Sequence, residues 1–277
     1  MTAAPGSLLV VATPIGNLDD LAPRAVAALR DADAIACEDT RHSMPLLARF
    51  GIAAKLVAYH EHNEREMAEK LVARMRAGER IALISDAGTP LVSDPGYRLV
   101  AAAHAAGIVV GTVPGPCAAI AALSVCGLPS DRFTFEGFLP AKAGPRREKL
   151  TALATEPRTL VFYESRHRIA ECLADAAEVF GARRRATLCR ELTKLHETVL
   201  PATLGELSAR VAADPEQQLG EIVLVIEGAG DAADAAILRE GERVYALLAM
   251  ELPPGRAAKL AAAISGAPRN ALYRGDS

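Results

Sequence analysis

Leu8-Leu9-Val10-Val11-Ala12-Thr13-Pro14-Ile15-Gly16-Asn17 is a short apolar run, Leu8 to Ala12, closed by a turn in which Pro14 and Gly16 forbid further ladder pairing. The run reads as a buried strand, and the turn has to become a loop. Apolar residues then recur at helical spacing at Leu21, Ala25, Ala28 and Leu29, with Asp19 and Asp20 placed to cap. Ala34-Ile35-Ala36-Cys37 follows as a second buried strand, which completes a βαβ unit. The pattern repeats: helix at Leu71 to Met75, strand at Ile81 to Ile84, helix at Leu99 to Ala106, strand at Ile108 to Val113. Strands alternating with helices predict a mostly parallel sheet covered on both faces.

Pro114-Gly115-Pro116 leads into an apolar helix, Ala118 to Val125, broken by Gly127-Leu128-Pro129. Strands are expected at Phe133 to Phe135, Thr159 to Tyr163, Arg185 to Cys189 and Glu221 to Ile226, with helices at Ile169 to Val179 and Leu204 to Ala212. Beyond Gly228-Ala229-Gly230-Asp231 the chain turns Ala-rich and helical, interrupted by Pro253-Pro254-Gly255. The expected organisation is an α/β domain over residues 1–118, a second α/β domain over 119–230, and a small helical C-terminal tail over 231–277.

The bulk numbers agree with a folded two-domain chain: 277 residues, 51% hydrophobic, with no basic leader and no apolar run near the roughly 20 residues that span a bilayer. A soluble, cytoplasmic protein is expected. Cys37, Cys117, Cys126, Cys172 and Cys189 lie far apart without a Cys-x-x-Cys pair, so they read as reduced core thiols and signal neither zinc nor a disulfide framework. A net charge of −3 argues against an overall basic nucleic-acid coat and leaves room for local basic patches.

In open α/β sheets ligands bind outside the carboxyl ends of the strands, so loops that follow strands carry the chemistry. Three stand out: Thr13-Pro14-Ile15-Gly16-Asn17, Ser85-Asp86-Ala87-Gly88-Thr89-Pro90-Leu91-Val92-Ser93-Asp94-Pro95-Gly96, and Val113-Pro114-Gly115-Pro116-Cys117-Ala118-Ala119. None matches Gly-x-Gly-x-x-Gly or a P-loop, which lowers nicotinamide and ATP readings. Each alone is an ordinary tight turn. Together, their small residues would let backbone N–H and C=O groups approach adenine, ribose or a carboxylate, all of which S-adenosylmethionine carries.

These loops, with Glu38-Asp39-Thr40-Arg41, Glu136-Gly137-Phe138-Leu139-Pro140, Tyr163-Glu164-Ser165-Arg166-His167-Arg168, Cys189-Arg190-Glu191-Leu192-Thr193-Lys194 and Gly220 to Gly228, strongly resemble the ribosomal RNA small subunit methyltransferase I family of the tetrapyrrole methylase superfamily. The resemblance spans nearly the whole chain. It implies two α/β domains with an S-adenosyl-L-methionine cleft between them, and a homodimer. It further implies 2′-O-methylation of a cytidine, cytidine 1402, in the decoding region of 16S rRNA of the small ribosomal subunit. By the same resemblance the cofactor contacts fall on Ala87, Gly88, Thr89, the nearby Val92, and Cys117 and Ala118. Tyr163 and Leu192 would cover the adenosine, and Pro14, Gly16 and Asp86 stand beside them in the loops. Where many corrin-forming relatives read Gly-Gly-Asp-Pro this chain reads Ala87-Gly88-Thr89-Pro90, so that Asp contact does not carry over to Thr89.

Methyl transfer to a hydroxyl is an in-line displacement for which alignment supplies most of the catalysis and a base is helpful rather than obligatory. Titratable residues in loops near the cofactor are Glu38, Asp39, Asp86, Glu191 and Lys194. Glu38, Asp39 and Arg41 read either as a wall facing RNA, or structurally, with Asp39 capping the next helix and Arg41 pairing with Glu38. His60 and His62, two apart as on one face of a strand, lack a third ligand at a familiar spacing, so no metal is expected. His60 and Asn63 are expected as polar contacts at the cleft mouth.

Basic residues gather in Lys142, Arg146, Arg147 and Lys149, in Arg166 and Arg168, and in Arg183-Arg184-Arg185, as solvated faces or as phosphate holders. The tail adds Arg256, Lys259, Arg269 and Arg274 on two short helices with Leu260, Ile264 and Leu272 inside, like a helix-turn-helix. Six Phe, five Tyr and no Trp disfavour a base-stacking platform and favour recognition of shape and phosphate. Two other readings stay open on the residues alone: a corrin or siroheme precursor methyltransferase of the same fold, and a catalytically silent RNA-binding assembly protein.

Overall fold

A computed structural model describes residues 6–272, with the backbone alone over 231–236. Five strands, β1 Ser7–Val11, β2 Ala34–Cys37, β3 Lys55–Ala58, β4 Arg80–Leu83 and β5 Val109–Val113, form one sheet in the order β3-β2-β4-β1-β5. Every pair in it is parallel. The helices between them cover both faces. α3 Glu64–Arg76 and α4 Tyr97–Ala105 bury Leu71, Met75 and Leu99 against Leu8, Ile81 and Leu83 on one face. α1 Pro23–Asp31 and α2 Thr40–Arg49 bury Leu29 and Leu47 against Val11, Ile35 and Ala82 on the other. Strands buried on both sides read as continuous apolar runs, which is why β1, β2 and β4 are evident from sequence.

Packing groups the chain from β1 through Val125, together with residues 189–199 and 220–223, into one compact unit. The second unit holds the rest, including most of a sheet in the order β6-β7-β10-β8-β9, whose strands are β6 Phe133–Phe138, β7 Thr159–Ser165, β8 Arg185–Arg190, β9 Thr198–Thr203 and β10 Glu221–Ile226. Its helices are α6 Ala143–Ala152, α7 Ile169–Phe180 and α8 Leu204–Ala213, and α5 Ala118–Val125 closes the first unit. Two α/β layers and short terminal helices are the expected fold class.

Several elements differ from expectation, three of them for local reasons. Asp19 and Asp20 do not cap α1: they form a 3-10 turn capped by the Asn17 side chain, and α1 starts with Pro23 at its first position. Pro201 lies within β9, where the terminal place of that strand in its sheet leaves a missing N–H without a ladder partner to lose. α6 begins with Ala143-Gly144-Pro145 and reads as loop, yet it buries Arg146 and Leu150.

The tail is helical over α9 Gly230–Leu248, α10 Pro254–Ser265 and α11 Arg269–Leu272. Val244, Ala258, Ala261, Ala267 and Leu272 form its small core. Of the residues expected inside, Leu272 is buried while Leu260 and Ile264 face solvent, because the close approach uses alanines. A side chain at Gly241 would meet the Ala267 Cβ at 2.6 Å. Arg274 lies outside the described residues.

Candidate functional site

β4, β1 and β5 are neighbours, so their carboxyl-end loops emerge side by side, and a small set of hydrogen bonds stitches them together. The Thr13 N–H donates to the Gly88 carbonyl at 2.8 Å and the Gly88 N–H returns to the Thr13 carbonyl at 3.1 Å. The buried Thr13 hydroxyl donates to the Ser85 carbonyl at 3.2 Å, and the Ser85 hydroxyl donates to the Gly88 carbonyl at 3.2 Å. The Thr89 hydroxyl donates to the Pro116 carbonyl at 2.9 Å, tying the second loop to the third.

This stitching refines the expected cofactor contacts. Gly88 is buried with φ +81°, a backbone region costly to side-chain-bearing residues, and a Cβ there would sit 3.1 Å from Ile15. Its N–H and C=O are both engaged by Thr13, so they serve the loop's shape. Thr89, where corrin-forming relatives carry Asp, is likewise engaged with the third loop. Ala87 is the exposed member of the trio. Val92 is half-buried between Leu91 and Ser93, both in left-handed backbone at φ 74° and 65°. Strain at two residues that are not glycine persists only where the surroundings over-determine it, and such strain gathers at functional sites. Pro14 is buried, and Cys117 and Ala118 lie at the start of α5.

Gly16 has φ +149°, and the space beside it is filled by the Lys194 side chain, whose Cε would lie 2.6 Å from an added Cβ. Lys194 in turn donates to Glu191 Oε1 at 2.9 Å and Glu221 Oε2 at 3.0 Å. Burial opposes its charge, but those two carboxylates outweigh it and raise its pKa. Burial likewise opposes ionisation of Glu191, and Lys194 with the Glu221 backbone overcomes it and lowers its pKa. Leu192 is buried in the same turn. Tyr163 belongs to the second unit, on β7, with Phe135 and Phe138 packed edge-on at ring distances of 4.9 and 5.8 Å. All the other nominated residues belong to the first unit.

At the carboxyl end of β2, Asp39 caps α2 by accepting from the Arg41 N–H at 2.8 Å, and its own N–H donates to Asp86 Oδ1 at 3.2 Å. Arg41 pairs with Asp39 at 2.9 Å, not with Glu38 as the structural reading expected, because the cap already brings the two side chains together. The Arg41 guanidinium holds the Asp39 carboxyl at about 2. Glu38 is shifted the other way, upward, by burial and then by the charge of Asp86. Asp94, which sequence reasoning did not nominate, is pushed up to about 7 by burial, then by Glu38 and Asp86. Its only sequence cue is its place in the second loop. Of the nominated carboxylates, Glu38 has raised proton affinity, and the structure adds Asp94.

His60 and His62 are not on a strand: β3 ends at Ala58, and both lie in the turn before α3 with ring centroids 6.0 Å apart. Among the described residues no group of three metal-ligating side chains occurs. Asn63 closes that turn, accepting from the His60 N–H and donating to the Ala58 carbonyl, so its amide is engaged within the loop. Glu64, also not nominated, accepts from the Tyr59 hydroxyl at 3.1 Å and from the Gly96 N–H at 3.0 Å, anchoring the far end of the second loop.

The basic clusters of the second unit are mostly neutralised internally. Arg146 pairs with Asp175 and Glu171, Arg147 with Asp175 and Glu178, Lys149 with Glu136, Arg168 with Glu164 and Arg185 with Glu227. Arg184 donates to the Glu227 and Ala154 carbonyls. Lys142, Arg166 and Arg183 remain exposed. In the tail Arg256, Lys259 and Arg269 are exposed, and among the described residues none of the three pairs with a carboxylate.

Residues 7–208 match the family Tetrapyrrole (Corrin/Porphyrin) Methylases, and residues 235–274 match the RsmI C-terminal HTH domain. A Ribosomal RNA small subunit methyltransferase I from Xylella fastidiosa (strain Temecula1) is 61% identical over 99% of this chain and 100% of its own length. The proteins of that name from Pseudomonas aeruginosa and Escherichia coli O157:H7 are 56% and 53% identical over 97% of this chain, covering 96% and 94% of their own lengths. Among solved structures, a uroporphyrin-III-C-methyltransferase from Thermus thermophilus superposes with a TM-score of 0.58 at 22% identity, over 80% of this chain and 94% of that one. A diphthine synthase gives 0.60 at 17% over 80% and 90%. At such identities these two show the fold alone. The chain belongs to the tetrapyrrole methylase family and, within it, to the ribosomal RNA small subunit methyltransferase I group.

Proposed function

We propose that the protein transfers the methyl group of S-adenosylmethionine to the 2′-hydroxyl of a cytidine in the decoding region of small-subunit ribosomal RNA, acting on an assembled particle. The observation that carries this reading is the three-loop cradle at the carboxyl ends of β1, β4 and β5, stitched through Thr13, Gly88, Thr89 and Pro116, in a chain so similar to rRNA methyltransferases. The cofactor would lie on the exposed and half-buried parts of those loops, at Ala87, Val92, Cys117 and Ala118. Tyr163 and Leu192 as covers of the adenosine rest on the family resemblance.

In the reaction the hydroxyl oxygen attacks the sulfonium methyl carbon as the carbon–sulfur bond breaks, leaving S-adenosylhomocysteine and a hydroxyl proton to be removed. Glu38 and Asp94, with proton affinities raised by burial and by neighbouring carboxylates, are suited to accept it, and Asp39, held ionised by Arg41, is suited to orient. Labelled cofactor and the purified enzyme should label small subunits from a strain lacking this gene, and the label should survive digestion in a ribose-methylated nucleoside. Label in a base, or only in free precorrin-type substrates, overturns the reading.

Docking falls to the tail, because the basic clusters of the second unit are mostly paired internally. Replacing Arg256, Lys259 and Arg269 by Ala together should weaken binding to small subunits and leave cofactor affinity unchanged. If each contacts one phosphate, the log–log salt slope of binding should fall by about 2–3. An unchanged slope would remove the tail from the RNA contact.

A further inference from the structure

We propose that Lys194 is a positioning residue whose hydrocarbon stem braces the Thr13–Asn17 loop; its link to the methyl donor rests on the cofactor reading above. The stem lies across the face of Gly16, where Cε and Cδ would stand 2.6 and 3.0 Å from any added Cβ. Gly16 takes φ +149°, a backbone that side-chain-bearing residues rarely adopt, and a lysine from 178 residues onward occupies the volume a Cβ would need. The loop it belongs to is the one whose Thr13 forms the bridge to Gly88, so pressure on Gly16 is applied three residues from the centre of the cradle.

The stem is delivered by its own turn, and the ammonium beyond it is neutralised. Nζ is held between Glu191 and Glu221, at 2.9 and 3.0 Å. Glu191 is itself fixed at both its backbone and its side chain: its N–H donates to the Glu221 carbonyl at 2.9 Å and its Oε1 accepts from the Glu221 N–H at 2.8 Å. Gly220, at φ +85°, has no room for a Cβ because the Glu191 carboxyl fills that place. The turn carrying the lysine is strained as well: Glu191 and Thr193 take left-handed backbone at φ 51° and 69°, and the Thr193 hydroxyl is buried without a partner among the described residues. A turn that keeps two such residues and an unsatisfied hydroxyl is over-determined by its surroundings, and what it delivers is the lysine stem. All of these residues belong to the first compact unit.

Lys194→Met and Lys194→Ala separate stem from charge, since methionine replaces Cγ, Cδ and Cε nearly atom for atom and removes only the ammonium. On the full chain without ligand, exchange of the Thr13 and Gly88 amides, each hydrogen-bonded to the other's carbonyl, should accelerate about tenfold or more in the Ala variant and stay within about threefold of the parent in the Met variant. Dissociation constants for S-adenosylmethionine should follow the same order, about tenfold or more weaker for Ala and within about threefold for Met. Equal impairment of both variants would assign the effect to the ammonium and overturn the brace. So would unchanged exchange in Lys194→Ala, or faster exchange with unchanged cofactor affinity. A parent protein that bound no S-adenosylmethionine would sink the cofactor reading, while the exchange comparison would still decide whether the stem holds the loop.

Discussion

At pH 8 an Asp94→Asn variant should be more stable than the parent protein, by about 2–4 kcal/mol, and at pH 4 the difference should vanish. Asp94 is driven up to about 7 by burial first and then by Glu38 and Asp86, against an ordinary value of 3.8. The sign follows from which state holds the proton. Between pH 4 and 7 the folded chain keeps Asp94 protonated while the unfolded chain ionises it, so the raised pKa contributes stability that is complete below about 4. That contribution is lost as pH rises through 7, where the folded protein must carry the charge beside two other carboxylates. Asparagine keeps the shape and never ionises. Urea unfolding at pH 4, 6 and 8 would show the two proteins converging at acid pH and separating upward; parallel stabilities across the range would mean Asp94 is ionised throughout and refute the argument. The same substitution should depress methyl transfer at saturating substrates and remove the rise of the rate toward pH 7. Stability gained where activity is lost is the mark of a group kept under electrostatic strain for use.

Asp94 also shows where sequence reading stops. It sits in an Asp-Pro-Gly turn, a composition that signals a loop and nothing more. Its proton affinity comes first from burial, then from Glu38, which β2 delivers, and from Asp86, which β4 delivers, and that environment exists only once the parallel sheet is assembled. The same holds for Lys194 over Gly16, and for Glu64 reaching the N–H of Gly96. By contrast the three loops were readable because each follows a strand whose apolar run is uninterrupted, and small residues at fixed places announce tight turns. What their spacing does not show is which backbone groups remain free: Gly88, the most conspicuous glycine, has its N–H and C=O engaged by Thr13.

The fold follows the same division. β1, α5 and β10 have strong apolar runs with sharp Gly or Pro boundaries, β2 has one bounded by Asp33 and Glu38, and all four fall where the pattern places them. β3 and β9 are the last strands of their sheets, half-buried, with a Lys at the start of one and a Pro inside the other; neither makes the pattern of a central strand. α6 escapes because its buried face includes an arginine.

That arginine carries the second large expectation: Arg146→Ala should cost about 3–5 kcal/mol of stability in the second unit and leave the salt dependence of RNA binding untouched. As sequence, Arg146 stands in a basic cluster that invites a phosphate. In the structure it is 1% exposed on α6, with Nε donating to Asp175 Oδ2 at 2.6 Å, a terminal nitrogen reaching Glu171 at 3.1 Å, and another donating to the Ala141 carbonyl at 3.1 Å. Asp175, 4% exposed on α7, is penalised by burial, but hydrogen bonds from Arg147 and Arg146 outweigh that and lower its pKa. Removing the guanidinium would strand this carboxylate with Arg147 alone, whose side chain is half in water, and would open a void between the two helices. The neighbouring Arg147→Ala should cost no more than about 1 kcal/mol, since solvent screens that cation and leaves Arg146 in place. Replacing Arg146 and Asp175 together by Met and Leu should recover much of the loss, because the penalty lies in the unpaired charge and not in the absence of an ion pair. Urea unfolding of the three variants and binding to small subunits at several salt concentrations tests both halves. If Arg146→Ala kept parental stability and lowered the salt slope by about 1, Arg146 would be a phosphate contact after all.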